Sequence, residues 1–280
     1  MSTTMDISAT LSHDGLSQEQ QWFFAEHGWV LLERVIDSGL CRAAREATEN
    51  MLDRVTCGTT TDPTDRGNTR ALRDAHQLEP AFYELYRIPG LLAAARQLIG
   101  HQKIRCVQSF TAMTDPDQDR HTRPDLVGDR RSWGWHRSFC PRDIIRPHPT
   151  DPELINSAMI AIGMYFVPIA PEHGMTALFD TSHRYEGGWS ESHQIYDEVG
   201  DRLDFVQPAA GMGSIVMFSE ATLHSPAPVL SEQRRFAHFA FLAVPWFNRN
   251  GHEPYLHAYL ADDDLRELFA PCLAYDPAYD

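Results

Sequence analysis

The sequence GMGSIVMFSEATLHSP, residues 211–226, contains the clearest signal of the fold. Its glycines indicate a turn, and the apolar run that follows has the length and the β-branched content of a buried strand. A second short turn then ends at His224. Because imidazole is a common metal ligand, a histidine just beyond a strand is a candidate for a metal site. The stretch therefore predicts a β core with a functional group at a strand end.

The elements around this stretch change from helical to strand-like along the chain. A capping box at Ser17 and Gln20 predicts a first helix that ends at Gly28, and Asp37 or Ser38 caps a second helix. Further helices are predicted near 79–87, 90–99 and 262–269, and strands at 104–113, 158–167, 176–180, 214–218 and 236–244. Helices followed by many strands indicate an α+β fold, in which helices pack on a β sandwich or barrel. We expect residues 1–16 to form a flexible lead and residues 17–280 a single domain.

Composition narrows the classes of function. The formal net charge is -15 and there is no basic stripe, which argues against binding to nucleic acid. No apolar run approaches the roughly 20 residues of a membrane helix, and the polar start of the chain lacks a signal core. The 5 cysteines include no CxxC pair. This usage predicts a protein of the reducing cytoplasm that lacks disulfides.

Two histidines and one arginine stand out among the candidate functional residues. Arg235 follows His224 at the start of the strand 236–244, where its guanidinium can hold a carboxylate beside a metal. His136 lies in the aromatic segment WGWHRSF, residues 133–139, after a long polar stretch. Such surroundings would shield a metal ligand from water. The predicted substrate-pocket residues are Trp133, Trp135, Phe139 and Arg137.

The chain resembles the phytanoyl-CoA dioxygenase family, including its ectoine-hydroxylase-like members, over nearly its whole length. The resemblance lies in the order and spacing of several segments: FFAEHGWVLL at 23–32, DAH at 74–76, the helix at 91–100, EHGMT at 172–176 with TSH at 181–183, and His224 followed by Arg235. It implies a double-stranded β-helix of the jelly-roll or cupin type, with the N-terminal helices packed on one sheet.

The resemblance also implies an iron(II) and 2-oxoglutarate-dependent enzyme that uses dioxygen. In the family a His-x-Asp pair and a distal histidine hold the iron, which makes His136 and His224 the expected metal ligands. Arg235 would bind the far carboxylate of 2-oxoglutarate. Arg234 is the alternative, because a register slip of one residue reverses the faces of a strand. Gln108 and Thr111 are expected to make further cosubstrate contacts.

Ser138 stands where the family has its metal-binding aspartate. Four interpretations are open. Halide fills the open coordination position, as in related halogenases; water or another side chain, among Cys140, Asp143 and Glu220, completes the shell; the site has lost its metal; or the aspartate was replaced by engineering.

These residues predict oxidative C–H functionalisation of a small molecule, by hydroxylation or a related oxidation, in natural-product tailoring. The alternatives are a halogenase that also uses chloride, and a non-catalytic ligand-binding relative. Segments 114–132 and 184–196 are expected to flank the mouth of the site. Their arginines, at 120, 123, 130 and 131, together with Arg137, would favour an anionic or carrier-bound substrate.

Overall fold

The computed structural model describes residues 11–54, 68–77, 79–118, 121, 133–186, 196–197, 199–200, 202–247 and 262–269. The helices are α1 (Gln18–His27), α2 (Ser38–Arg54), α3 (Ala81–Tyr86), α4 (Leu91–Ile99), α5 (Pro141–Ile144) and α6 (Asp263–Leu268). The strands are β1 (Trp29–Leu32), β2 (Thr69–Arg73), β3 (Arg105–Thr114), β4 (Ile145–Pro147), β5 (Ile155–Ser157), β6 (Met159–Tyr165), β7 (Ala177–Phe179), β8 (Phe205–Val206), β9 (Ile215–Ser219), β10 (His224–Ser225) and β11 (Arg235–Ala243).

Local sequence signals account for the N-terminal helices. The Ser17 side chain accepts from the backbone N–H of Gln20, and the Gln20 side chain accepts in return from Ser17, which completes the predicted capping box. Gly28 ends α1 in the left-handed conformation that glycine adopts easily. At the start of α2, Asp37 Oδ1 accepts from two backbone N–H groups. Both helix starts are confirmed.

Two antiparallel sheets form the core. The larger sheet has the order β1-β9-β6-β11-β3-β2, and the smaller one has the order β10-β7-β8. A separate ribbon joins β4 and β5. This arrangement of helices with facing antiparallel sheets is consistent with the double-stranded β-helix, and it confirms the α+β prediction. The strand predicted from residues 214–218 lies inside the larger sheet, between β1 and β6.

Alternation along β11 separates the two sides of the larger sheet. Phe236, Ala240 and Leu242 belong to the core that also contains the buried residues of α1 to α4. Ala237 and Phe239 pack on the opposite side, towards the smaller sheet. Successive side chains of a strand point to opposite faces, so the helices cover one face and the other faces the site.

Several short elements were not predicted from the sequence. They are β2, β4, β5, β8 and α5, all of them five residues or shorter. Residues 69 and 70, in a stretch for which the sequence predicts no strand, pair with β3 as part of β2. Residues 1–10 of the expected flexible lead lie outside the described residues, and Leu16 at its end is buried. None of the described helices is long and apolar enough to cross a membrane.

Candidate active site

A cavity of about 270 Å³ lies between the two sheets. Side chains of β3 and β11 form one wall, and the segments around residues 136–138 and 220–229 form the other. The aromatic wall residues are Phe110, Phe218, Phe239 and Phe241. A concave, largely apolar site with a few converging polar groups is typical of small-molecule binding sites. The polar groups that line it are Asn68, Thr69, Gln108, Thr114, His136, Ser138, Thr176, Glu220, His224 and Arg235.

His136 and His224 lie directly opposite each other on neighbouring extended segments. The N–H of each residue donates to the carbonyl of the other, both at 2.9 Å, which is a hydrogen-bonded antiparallel pair. Their ring centroids are 4.3 Å apart and both residues line the cavity. The backbone therefore brings together two side chains that are separated by 88 positions along the chain, as counted from 136 to 224.

Hydrogen bonds to backbone carbonyls select the tautomer of both rings. Nδ1 of His136 is 2.9 Å from the Gly134 carbonyl, and Nδ1 of His224 is 2.8 Å from the Thr222 carbonyl. A carbonyl only accepts, so Nδ1 of each ring carries a proton, and Nε2 keeps its lone pair when the ring is neutral. Burial lowers the pKa of His224 to about 4, which keeps that ring neutral near pH 7. Both rings are thus prepared to act as Nε2 metal ligands.

Ser138 lines the cavity two residues after His136. Its hydroxyl donates a hydrogen bond to the carboxylate of Glu220. The backbone N–H of Ser138 donates to the Glu220 carbonyl at 3.0 Å, so the two residues are also joined through the main chain. Burial raises the pKa of the Glu220 carboxyl, while the Ser138 hydrogen bond and the nearby His136 act in the opposite direction.

Arg235 places a buried guanidinium in the same cavity. The residue is 5% exposed; Nη2 donates to Thr114 Oγ1 at 3.0 Å, and Nη1 donates to the Gly174 carbonyl. Nε has no hydrogen-bond partner, and no carboxylate pairs with this arginine among the described residues. A buried cation without an acidic partner is costly, and an anionic ligand would offset that cost.

Three further residues were predicted from the sequence to contact the cosubstrate, and only one of them lines the cavity. Gln108 lines the cavity. Arg234 does not, because it lies one residue before β11 and its Nε contacts Asp115 Oδ1 at 2.6 Å near the surface. Thr111 faces the helices, where its hydroxyl lies 3.0 Å from Thr48 Oγ1. That placement contradicts the predicted cosubstrate contact of Thr111, and the odd–even alternation of β3 is the reason.

The predicted pocket residues of segment 133–139 also face away from the cavity. Trp133 and Trp135 belong to an apolar cluster with Phe179, and the Trp135 and Phe179 rings are 4.5 Å apart. Arg137 is buried and donates to the Tyr185 carbonyl at 2.9 Å, while Phe139 packs on another ring. The segment is extended, so His136 and Ser138 point into the cavity and their neighbours support it from behind. The assignment of these four residues to the pocket lining is therefore corrected.

Several cavity residues were not singled out from the sequence. Thr114 and Thr176 contribute hydroxyls, and Asn68 and Thr69 lie at the start of β2. Glu220 had been named only as one of three nearby side chains. Its signal in the sequence is a lone acid among apolar and small residues after a strand, because an unpaired glutamate is rarely fully buried. The arginines at 120, 123, 130 and 131 lie outside the described residues.

Known structures resemble this chain throughout its length. SnoK, a non-haem alpha-ketoglutarate-dependent carbocyclase from nogalamycin biosynthesis, is 18% identical, with a TM-score of 0.67 and 96% of this chain and 97% of that chain covered. HygX from Streptomyces hygroscopicus, solved with nickel and 2-oxoglutarate, is 18% identical, with a TM-score of 0.62 and coverage of 94% and 98%. EctD from S. alaskensis, solved with 2-oxoglutarate and 5-hydroxyectoine, is 17% identical, with a TM-score of 0.61 and coverage of 82% and 76%.

These likenesses establish the fold, and a sequence match establishes the family. No curated protein sequence matches the chain significantly. The family described as phytanoyl-CoA dioxygenase (PhyH) matches residues 24–237, more than half of the chain. That range includes both cavity histidines, Ser138 and Arg235. The chain belongs to the phytanoyl-CoA dioxygenase family.

Proposed function

We propose that this protein is an iron(II) and 2-oxoglutarate-dependent oxygenase that oxidises a C–H bond of a small molecule. One observation carries the proposal: two histidines whose Nδ1 atoms are bonded to backbone carbonyls, which leaves Nε2 for a metal, line the same cavity as a buried guanidinium that has no acidic partner among the described residues. Either feature alone is compatible with a structural role. A dicarboxylate that chelates a metal requires both of them: protein ligands that hold the metal, and a cation that binds the far carboxylate.

The histidine pair fits a metal ion of the iron(II) type. His136 and His224 offer neutral imidazole nitrogens, which suit first-row transition metals. Their Nδ1 hydrogen bonds to Gly134 and Thr222 fix the orientation of the rings. When bound, iron(II) and 2-oxoglutarate would supply the electrons that activate dioxygen, which is the oxidant of the substrate C–H bond.

Arg235 fits the far carboxylate of 2-oxoglutarate. The planar guanidinium can present paired donors to a carboxylate, and the Thr114 hydroxyl at 3.0 Å holds it in place. Gln108, Asn68 and Thr69 offer further polar contacts along the same wall. HygX and EctD were both solved with 2-oxoglutarate bound. We infer that the present chain takes the same cosubstrate.

The remaining cavity surface suits an organic substrate. Four phenylalanines line the site, and Pro226, Pro228 and Val229 close its other wall. Apolar walls exclude water from the reacting atoms, which protects a reactive intermediate from side reactions. The structurally similar SnoK belongs to nogalamycin biosynthesis, and EctD was solved with 5-hydroxyectoine. We infer a role in natural-product tailoring, in a cytoplasmic setting that suits the thiols of Cys41, Cys106 and Cys140.

Halogenation is the second candidate, because residue 138 is a serine and the metal-binding aspartate typical of the family is absent from that position. A halide would have to bind beside the Ser138 hydroxyl. The Glu220 carboxylate already contacts that hydroxyl, and two anions in one buried site repel each other. This contact favours oxygenation over halogenation. The paired histidines favour an enzyme over a ligand binder, which would not need them.

An anaerobic titration with iron(II) and 2-oxoglutarate, with and without chloride, tests the proposal. We expect a visible charge-transfer band that develops only when both are present and that chloride leaves unchanged. The band should be lost in His224→Ala and kept in His148→Ala, a histidine that does not line the cavity. A band that chloride shifts would support the halogenase instead. The absence of any band in the unmodified protein would refute the iron and 2-oxoglutarate assignment.

A further inference from the structure

Glu220 is a fully buried acid in the wall of the candidate site. It lines the same cavity as His136 and His224. Its Oε2 accepts from the Ser138 hydroxyl, while its Oε1 has no hydrogen-bond partner among the described residues. No Lys or Arg side chain of the described part forms an ion pair with it. A buried carboxyl with this environment is expensive to retain unless a cation binds to it.

Glu220 lies next to Ser138, close to the place where an aspartate at position 138 would have its carboxylate. If residue 138 were aspartate, its side-chain carboxylate would begin where the serine hydroxyl now lies, and its oxygens would extend beyond that point. The Glu220 carboxylate is in hydrogen-bond contact with that hydroxyl. It therefore brings carboxylate oxygens into the region that an aspartate at 138 would occupy, but from the opposite side.

The main chain keeps Glu220 in this place. Its carbonyl accepts from the N–H groups of Ser138 at 3.0 Å and Phe139 at 3.3 Å, and its own N–H donates to the Met159 carbonyl at 3.2 Å. Glu220 also lies only four positions before His224, on the turn that leads from β9 to β10. Segment 136–139 and the turn 220–224 thus form one unit that carries both histidines and the acid.

We propose that Glu220 is the carboxylate ligand of the metal site and replaces the aspartate that this chain lacks at Ser138. The proposal rests on the proposed function, because it concerns the same metal. A facial set of two histidines and one carboxylate would be restored, with the acid supplied by the turn that leads to the distal histidine. In the conformation described here, no three His, Cys, Asp or Glu side chains of the described residues are close enough to hold an ion together. Ligation therefore requires the carboxylate to exchange the Ser138 hydroxyl for the metal.

Metal affinity of the purified full-length protein tests this assignment without relying on turnover. We would titrate Mn²⁺ anaerobically by calorimetry into the unmodified protein and into Glu220→Gln, Ser138→Ala, Glu220→Gln/Ser138→Asp and His224→Ala. The Glu220→Gln substitution keeps the size of the side chain and an acceptor for the Ser138 hydroxyl, and it removes the charge. Urea midpoints of all variants establish that each one is folded.

We expect Glu220→Gln to weaken Mn²⁺ binding by at least about tenfold, the range seen when even an outer partner of a metal ligand is lost. Ser138→Ala should bind Mn²⁺ about as well as the unmodified protein, since the hydroxyl is not the ligand. The double variant should regain affinity, because its aspartate restores a carboxylate. Absorption of the Co²⁺ form should change in Glu220→Gln and recover in the double variant.

Three other results would contradict one or both proposals. If Glu220→Gln binds Mn²⁺ like the unmodified protein while His224→Ala does not, the histidine site stands and the role of Glu220 is wrong. The role is equally wrong if Ser138→Ala loses as much affinity as Glu220→Gln, because the acid would then act through the hydroxyl. If neither Mn²⁺ nor Co²⁺ binds to the unmodified protein, the proposed function itself fails.

Discussion

Arg235 and Thr114 are cross-strand partners at the ends of β11 and β3, and the guanidinium Nη2 donates to the threonine hydroxyl at 3.0 Å. The pairing turns a flexible side chain into a fixed group, because the Gly174 carbonyl holds Nη1 at the same time. A fixed guanidinium loses little conformational entropy when a carboxylate binds. This relationship explains how one arginine can serve as the anchor of a dicarboxylate.

We predict that Arg235→Gln raises the Kd for 2-oxoglutarate by about tenfold to a hundredfold, as expected for the loss of a charge-assisted hydrogen bond. Calorimetry on the anaerobic metal-loaded protein measures this change. Arg234→Gln is the matched control, because Arg234 contacts Asp115 near the surface and does not line the cavity. It should leave the Kd unchanged, and equal effects in the two variants would contradict the assignment of Arg235.

Thr114→Val should produce a smaller effect in the same direction. The guanidinium keeps its charge and its bond to the Gly174 carbonyl, and it loses the partner that fixes Nη2. We expect a rise of a few-fold in the Kd for 2-oxoglutarate, in keeping with a net loss of roughly 1 kcal/mol for a guanidinium that keeps its charge but is held less firmly. A Thr114→Val protein with unchanged affinity would show that Arg235 does not need this support.

Gln108 and Thr111 lie on opposite faces of β3 and should respond differently to substitution. Thr111→Val removes the hydrogen bond to Thr48, whose hydroxyl remains bonded to the Ala44 carbonyl at 2.8 Å. We expect a loss of about 1 kcal/mol in the free energy of unfolding and no change in 2-oxoglutarate affinity. Gln108→Leu should weaken 2-oxoglutarate binding and alter the free energy of unfolding little. Urea denaturation and calorimetry separate the two, and a shared phenotype would contradict the face assignment.

The fold could be predicted because local signals and strand periodicity agree with the tertiary structure. The capping box at Ser17, the glycine stop at Gly28 and the apolar runs of β6, β9 and β11 are each encoded within a few residues. Short strands such as β2 and β8 carry no such signal. They exist because neighbouring strands offer hydrogen-bond partners, which is a property of the assembled sheet.

The candidate site could be predicted only in part, for a related reason. His136, His224 and Arg235 follow from motif order, and the structure places all three in one cavity. Alternate side chains of an extended segment point to opposite faces, so either the odd-numbered or the even-numbered residues line the cavity. The sequence does not determine which set does so where a segment is irregular. Trp135 and Arg137 were therefore assigned to the wrong face. The approach of Glu220 to Ser138 joins segments 82 positions apart and has no local signal.

Gly28 is predicted to be intolerant of any side chain. Its φ is +81°, and a Cβ would lie 2.4 Å from His183 Nδ1 and 2.6 Å from Thr222 Oγ1. Left-handed strain and overpacking together should cost Gly28→Ala at least about 2 kcal/mol in the free energy of unfolding. A Gly28→Ala protein with the same urea midpoint as the unmodified protein would contradict the prediction.

His183 should make the stability of the protein depend on pH. Burial lowers its pKa to about 4 from the ordinary 6.5, and Nε2 donates to the Ala25 carbonyl at 3.0 Å. Between these two values the unfolded chain binds a proton that the folded protein rejects. The free energy of unfolding is therefore unaffected above about pH 6.5 and falls as the pH drops towards 4, by up to about 1.4 kcal/mol per pH unit.

The variant His183→Gln isolates this contribution. Glutamine keeps an N–H donor for the Ala25 carbonyl and does not titrate, while the other buried histidines remain in both proteins. We expect urea denaturation between pH 6 and pH 4.5 to give a shallower pH dependence in the variant, with the slope reduced by up to about 1.4 kcal/mol per pH unit. Parallel curves for the two proteins would mean that His183 accepts its proton without cost in the folded state, and the burial argument would then be wrong.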